Sequence, residues 1–204
     1  MVSTDHDPRY QRVADGLVLP ATLAGDPALD FCNTRAGWNE DDPREYLTSY
    51  HHVAVWTREA GLVDAATAAR LRRQAKREPA DASRALSRAL RLRDALYAAC
   101  TDAADAEACD AVAAEARRAT AAAVLVRGSG WSVRESAGLD LPTLELARAA
   151  GALLTSPEVD TVGRCPGHHC GWLFLDPRGR RRWCTMAVCG NRAKARRHAL
   201  RTRV

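Results

Sequence analysis

The sequence predicts a mainly α-helical protein made of two parts. Residues 1–158 are expected to form a helical domain with one small β-hairpin, and residues 159–204 a small module of a β-hairpin followed by a helix. Three observations lead to this division. Apolar residues recur at helical spacing in five segments before residue 155, one intervening stretch alternates as a strand does, and the chain becomes basic and cysteine-rich near residue 159.

The first long helix is predicted to begin at Asp42. Asp42 can cap the helix, Pro43 suits its first turn, and Glu45 completes a capping box. Gly61 is expected to end this helix as a C-cap glycine. Before it, residues 17–31 mix apolar residues with proline and glycine, which indicates short extended pieces and turns.

Three more helices are predicted after it. Asp64 and Asp81 each stand where an N-cap is needed, and Pro79 separates the two helices that they begin. The second of these carries an apolar stripe that runs to Cys100, and an alanine-rich helix is expected over residues 106–120.

A β-hairpin is predicted between residues 122 and 135. Residues 122–127 are apolar and β-branched, a Gly-Ser-Gly turn follows, and residues 131–135 alternate. Apolar residues recur at helical spacing over residues 142–154, which predicts a helix. The Ser-Pro pair at residues 156 and 157 is expected to end it.

Four cysteines near the C-terminus form two short-spaced pairs. Four residues separate Cys165 from Cys170, thirteen residues follow, and four residues separate Cys184 from Cys189. Two such pairs flanking a hairpin-sized insert are typical of a structural zinc site, in which four thiolates complete a tetrahedron. The sequence therefore predicts one structural Zn²⁺ bound by these cysteines. Metal binding would supply folding free energy on the order of 10 kcal/mol to a segment with few large apolar groups.

The insert between the pairs is predicted to be a β-hairpin. Residues 172–175 alternate as a strand, and the four residues from Asp176 to Gly179 suit a type I turn. Residues 180–183 are the expected return strand.

Other cysteines and histidines have simpler interpretations. Cys32, Cys100 and Cys109 are isolated and are expected to be small packed side chains. His168 and His169 lie inside the first cysteine pair, where either is an alternative zinc ligand, although four cysteines already complete the tetrahedron. A solvated or phosphate-facing position is the other interpretation.

Positive charge is concentrated in the C-terminal segment. Residues 161–204 contain ten arginines and one lysine against a single acid, Asp176, whereas the remaining 160 residues carry a net charge of −5. Unpaired like charges repel each other, and a polyanion removes that cost. Nucleic acid is therefore predicted to contact this segment. Two alternatives stay open, namely ion pairing with acidic groups of the chain or of a partner protein, and a plain solubilising role. The predicted contacts are Arg178, Arg180, Arg181, Arg182, Arg192, Lys194, Arg196, Arg197 and Arg201.

The motifs around the second cysteine pair resemble a known zinc finger. The Arg-Arg-Trp-Cys sequence ending at Cys184 and the Cys-Gly-Asn-Arg sequence starting at Cys189 are similar to the CGNR zinc finger. That finger lies at the C-terminus of bacterial proteins with an ABATE domain, described as stress-induced transcription regulators, and residues 29–34 match a motif of that domain. The resemblance implies a helical N-terminal domain, zinc ligation by the four cysteines and nucleic-acid binding. The turn after Asp176 is shorter than is usual in that family, so a phosphate contact by this turn does not follow from the resemblance.

The N-terminal domain contains one candidate ligand pocket and no catalytic motif. Asp30, Asn33, Thr34 and Arg35 are polar residues next to an apolar run, where they would line a pocket; local capping and turn formation is the alternative. The sequence has no phosphate-cradling glycine loop, nucleophile elbow or His-Glu-x-x-His pair, so we expect a protein that is not an enzyme.

These observations favour a DNA-binding transcriptional regulator, with double-stranded DNA as its partner and a helical domain that senses a small-molecule effector or forms a homodimer. The first alternative is a zinc-stabilised interaction module that docks an acidic partner protein through its basic tail. The second is a redox sensor whose thiolates release zinc on oxidation. A cytoplasmic location without membrane association is expected, because the first 20 residues lack the apolar run of a secretory signal and no stretch approaches about 18 apolar residues.

Overall fold

The computed structural model describes residues 7–38, 40–128 and 130–201. Helix accounts for 57% of the described residues, which contain seven α-helices and four two-stranded antiparallel sheets, and this confirms the predicted fold class. The helices are α1 (Pro27–Cys32), α2 (Tyr50–Glu59), α3 (Ala65–Arg77), α4 (Pro79–Thr101), α5 (Ala106–Ala122), α6 (Leu141–Leu154) and α7 (Asn191–Arg201). The strand pairs are β1 (Gln11–Ala14) with β2 (Leu17–Pro20), β3 (Arg35–Ala36) with β4 (Arg44–Glu45), β5 (Ala123–Val126) with β6 (Gly130–Val133), and β7 (Val162–Arg164) with β8 (Leu173–Leu175).

The chain divides into two compact units, and one of them joins both ends of the sequence. The helical unit comprises residues 47–156, and the second, here called the terminal unit, comprises residues 1–46 and 157–204. The predicted boundary between residues 158 and 159 lies near the second junction between these units. The first junction, after Tyr46, was not predicted.

The helical unit is built from α2 to α6 and the β5–β6 hairpin. Asp64 caps α3 as predicted, because its carboxylate accepts a hydrogen bond from Thr67 N at 2.6 Å. Asp105 caps α5 in the same way, through Ala108 N at 2.9 Å. The buried interior contains aromatic and aliphatic side chains such as Trp56, which is 1% exposed.

Two predicted helix starts are wrong. The helix expected at Asp42 begins instead at Tyr50, with Ser49 at the N-cap position, because Arg44 and Glu45 form β4 and pair with β3. This pairing between residues eight and ten positions apart overrides the local capping signal. The helix expected at Asp81 begins at Pro79, whose fixed φ suits the first helical position.

The predicted hairpin at residues 122–135 and the helix at 142–154 are present as β5–β6 and α6. None of the helices in the described ranges combines the length and the apolar character needed to span a bilayer.

Candidate metal centre and basic surface

The four cysteines of the two pairs come together in the terminal unit. Their Sγ atoms all lie within 4.8 Å of one another, and Cys184 Sγ lies 3.6 Å from the Sγ atoms of both Cys170 and Cys189. With zinc–sulfur bonds of about 2.3 Å, the sulfurs of a tetrahedral site are about 3.8 Å apart. The four side chains are between 2% and 9% exposed. This geometry fits a closed structural site for one zinc ion.

Short elements position each pair of cysteines. Cys165 directly follows β7, and its N–H donates to Trp172 O at 2.8 Å, while Cys170 N–H donates to Gly167 O at 3.1 Å and closes the loop. Only glycine fits at position 167, because an added Cβ would lie 2.8 Å from Cys189 Sγ.

The second pair lies in the segment that leads into α7. A helical turn over Met186–Gly190 contains Cys189 and continues directly into Asn191, the first residue of α7. The Thr185 side chain accepts from Ala187 N at 3.2 Å and caps this turn. The metal centre therefore fixes the start of α7.

The ionisation of the four sulfurs requires a cation. Hydrogen bonds from Cys170, and then from the other two cysteines, lower the pKa of Cys165, whereas the hydrogen bond with Cys165 and burial raise the pKa of Cys184. Four thiolates at these separations repel one another. A bound Zn²⁺ replaces the thiol protons and lets all four sulfurs act as ligands.

The predicted hairpin between the cysteine pairs is wrong in its second strand. The turn is present, with Gly179 N–H donating to Asp176 O at 3.0 Å. The Asp176 carboxylate then accepts from Arg180 N at 2.9 Å and from Arg181 N at 2.8 Å. Because these N–H groups are bonded to Asp176, residues 180–183 form no strand, and β8 pairs with β7 instead.

The side chains of the candidate pocket residues form hydrogen bonds and ring contacts within the protein. The Asp30 carboxylate accepts from Leu23 N at 2.8 Å and Ala24 N at 2.9 Å, and Thr34 Oγ1 donates to Phe31 O at 2.7 Å. The guanidinium of Arg35 lies 4.8 Å from the centroid of the Trp38 ring. Burial raises the pKa of Asp30 to about 6, although its backbone hydrogen bonds oppose this shift. A ligand role for these residues stays a prediction.

Asn33, the remaining pocket candidate, connects the two ends of the sequence. Its side chain accepts from Leu173 N at 2.8 Å and donates to Leu173 O at 2.9 Å. Nearby, Trp172 Nε1 donates to Arg35 O at 3.0 Å. The segment at residues 33–35 is thereby held against the strand that follows the first cysteine pair.

One of the predicted nucleic-acid contacts, Arg181, is half-buried and bonded to the backbone of the terminal unit. Its guanidinium donates to Leu23 O at 2.6 Å, to Trp183 O at 3.2 Å and to the carbonyl of Cys184, and it lies 4.5 Å from the centroid of the Phe174 ring. This side chain cross-links the backbone around the metal centre, a role that sequence reasoning missed.

The other predicted contacts form an exposed basic surface. No residue of α7 is buried among those the structure describes. Lys194, Arg197 and Arg201 line a shallow groove of about 280 Å³ along this helix. Within the described ranges, none of these three side chains forms an ion pair. The exposed members are Arg178, Arg180, Arg182, Arg192, Lys194, Arg196, Arg197 and Arg201.

Comparison with protein families agrees with the metal centre and with the sequence motifs. Residues 25–157 match the ABATE family, whose description is "Putative stress-induced transcription regulator", and residues 161–202 match the CGNR zinc finger. A search of curated proteins found no significant match. Since the first match covers well over half of the sequence, the chain belongs to the ABATE family and carries a CGNR zinc finger whose four cysteines bind one structural zinc ion.

Proposed function

We propose that this protein is a zinc-containing transcriptional regulator that binds double-stranded DNA through its CGNR module. The proposal rests on α7, which has one lysine, four arginines, no acidic residue and no buried side chain. A helix without an apolar face gains little from packing in the free protein. A polyanion would offset the repulsion among its charges and give this helix a binding partner.

The zinc centre has a positioning role in this proposal. It ties Cys184 and Cys189, which precede α7, to Cys165 and Cys170 on the other side of the module. A helix fixed at its first turn loses less conformational entropy on binding than a free basic tail does. Phosphate contacts of this kind supply affinity without reading the base sequence.

We assign one of two roles to the helical unit, residues 47–156: it senses an effector, or it mediates self-association. The β5–β6 hairpin supports self-association, because its cross-strand pair Leu125 and Trp131 is 67% and 57% exposed. The proposal assigns no catalytic step to either unit, and its site of action is the cytoplasm, on duplex DNA.

The test is fluorescence anisotropy of a labelled random-sequence duplex with zinc-loaded protein across a salt series. The logarithm of the binding constant should fall with the logarithm of the salt concentration by about 0.9 per phosphate neutralised. Replacing Arg196 and Arg197 together with Ala should lower the slope by up to about 1.8 and weaken binding at low salt. The matched control replaces Arg73 and Arg77, two exposed arginines of α3.

The outcomes separate DNA binding from the alternative partner. Weaker binding by the α7 variant, with wild-type binding by the α3 variant, supports the proposal. Equal binding by both variants, or no binding by the wild type at low salt, contradicts it. Salt-sensitive binding to an acidic polypeptide in the absence of DNA binding would instead favour a protein-docking module.

A further inference from the structure

Three further ligand-type side chains meet beside the four-cysteine centre. The ligand atoms of Glu40, His168 and His169 all lie within 4.8 Å of one another. His169 Nδ1 is 2.9 Å from Glu40 Oε2. Glu40 belongs to the N-terminal segment of the terminal unit, whereas the two histidines lie in the loop between Cys165 and Cys170.

The backbone of the cysteine loop brings the adjacent histidines together. Neighbouring side chains on a helix or strand point in clearly different directions. His169 instead has a positive φ of 56°, which is uncommon for a residue other than glycine, and its ring centroid lies 3.7 Å from that of His168. On α2, by comparison, the rings of His51 and His52 are 6.4 Å apart.

We propose that Glu40, His168 and His169 form a second, exchangeable site for a divalent transition metal such as Zn²⁺. Two imidazoles and one carboxylate form a ligand set that zinc uses in sites with open coordination positions. Ligand atoms about 2.0–2.2 Å from an ion are about 3.3–3.6 Å apart in a tetrahedral site. The separation of 2.9 Å between His169 Nδ1 and Glu40 Oε2 is slightly shorter, so a small outward shift of either side chain would admit the ion. His168 is exposed, and a change of its side-chain rotamer would turn a ring nitrogen toward the ion.

The surroundings make this site exchangeable, unlike the buried four-cysteine centre. The His169 side chain is 62% exposed and that of Glu40 is 31% exposed. Both residues also line a cavity of about 290 Å³ in the terminal unit, which Cys170, Cys184 and Cys189 line as well, so the second site borders the four-cysteine centre. The site has no thiolate, so its affinity for zinc is expected to be lower than that of the four cysteines.

Calorimetric titration with Zn²⁺ tests the proposal. The starting protein holds one equivalent of zinc, verified by elemental analysis after a wash with a weak chelator. The wild type is expected to bind one further equivalent. Separate His168→Ala, His169→Ala and Glu40→Gln substitutions should each weaken this second binding event at least about tenfold, the lower end of what the loss of supporting residues costs metal sites.

The control replaces His51 and His52 with Ala, which removes two adjacent imidazoles from α2 and should leave the second equivalent in place. The zinc content of each variant before titration reports on the four-cysteine centre. If the histidine variants lose the zinc ion of the four-cysteine centre, their titrations do not report on the second site. The Glu40→Gln titration then tests the proposal, because residue 40 lies outside the cysteine loop. Absence of a second equivalent in the wild type, or second binding that the Glu40 and histidine variants retain unchanged, would overturn the proposal.

Discussion

At the residue scale, the Asn33 side chain connects the N-terminal segment to strand β8. Its amide satisfies both the N–H and the C=O of Leu173, a residue that is fully buried. Asn33 itself is 1% exposed, so water cannot replace it in either bond. Together with the bond from Leu175 N to Ala24 O at 2.8 Å, this amide group attaches the N-terminal segment to β8.

We expect Asn33→Ala to destabilise the zinc-loaded protein by about 2–4 kcal/mol, because two buried backbone groups lose their partners. Urea denaturation followed by tryptophan fluorescence measures the change in the free energy of unfolding. Asn191→Ala, at an exposed asparagine whose side chain donates to Ala187 O at 3.3 Å, is the control and should change it by less than about 1 kcal/mol. Equal effects of the two substitutions would show that the Asn33 bonds contribute little.

Asp30 makes stability depend on pH. Burial raises its pKa to about 6 in the folded protein, above the ordinary value of 3.8. The folded state therefore holds this proton more tightly than the unfolded state, and the contribution of Asp30 to stability falls as the pH rises from about 4 to about 6. The size of this loss is on the order of 2–3 kcal/mol.

Asp30→Asn should remove this pH dependence while it keeps an oxygen to accept from Leu23 N and Ala24 N. The measurement is the difference in the free energy of unfolding between the variant and the wild type at pH 4, 5, 6 and 7. Protonation of the zinc ligands affects both proteins and cancels in this difference. A difference that stays constant with pH would contradict the raised pKa of Asp30.

Loss of one zinc ligand should unfold the terminal unit and leave the helical unit folded. Cys184→Ser removes one of four thiolates from a buried site, and metal binding supplies folding free energy on the order of 10 kcal/mol in comparable modules. Elemental analysis should show zinc well below one equivalent, and far-UV circular dichroism should retain most of its helical signal. Cys109→Ser, at a partly exposed cysteine of α5, should keep a full equivalent. A Cys184→Ser variant that retained stoichiometric zinc would refute the four-cysteine assignment.

Residue roles were predictable where the chemistry depends on local spacing. The two cysteine pairs were recognisable because their separations match a tetrahedral thiolate site. The roles of Asn33 and Arg181 were not, because their partners Leu173 and Leu23 lie 140 and 158 residues away. From the sequence alone, an arginine within a run of three is interpreted as a surface cation, because its carbonyl partners are unknown.

At the scale of elements, the β5–β6 hairpin presents an apolar pair to solvent. Leu125 and Trp131 face each other across the two strands and stay largely exposed. Large exposed side chains that are adjacent mark interaction surfaces more often than isolated ones do.

If this hairpin mediates self-association, replacing Leu125 and Trp131 together with Ser should weaken it at least about tenfold, since two large apolar contacts are lost. Sedimentation equilibrium at several protein concentrations measures the association constant. The control replaces Val13 with Ser, because Val13 is 51% exposed and lies in β1 of the terminal unit. A wild type that is monomeric at all concentrations, or a hairpin variant that associates as the wild type does, would contradict this role.

Elements were predicted correctly where their signals are local. The Asp64 cap of α3 and the pairing of β5 with β6 needed only neighbouring residues. The two errors at Asp42 and at residues 180–183 have a common cause. In each case the outcome depended on which strand pairs with which, and β3–β4 and β7–β8 pairing is not encoded in local propensity.

At the scale of the whole molecule, the terminal unit is assembled from both ends of the sequence. Residues 7–46 and 157–201 are connected by the Asn33 bonds, by the Trp172 bond to Arg35 O and by the Arg181 bond to Leu23 O. The zinc finger is thus one part of a larger unit, and zinc binding is expected to stabilise the N-terminal segment as well. The sequence placed the boundary by composition alone, which marks where charge changes along the chain but not which segments pack together.

The central claim is that a zinc-organised basic surface binds duplex DNA. The most direct measurement is the affinity of the zinc-loaded and the chelator-treated protein for one random-sequence duplex, by anisotropy at 50 and 200 mM salt. The account predicts that the zinc-loaded protein binds at low salt, loses at least about tenfold in affinity at high salt, and binds more tightly than the zinc-free protein at both. Equal affinity with and without zinc, or no binding at 50 mM salt, would contradict it.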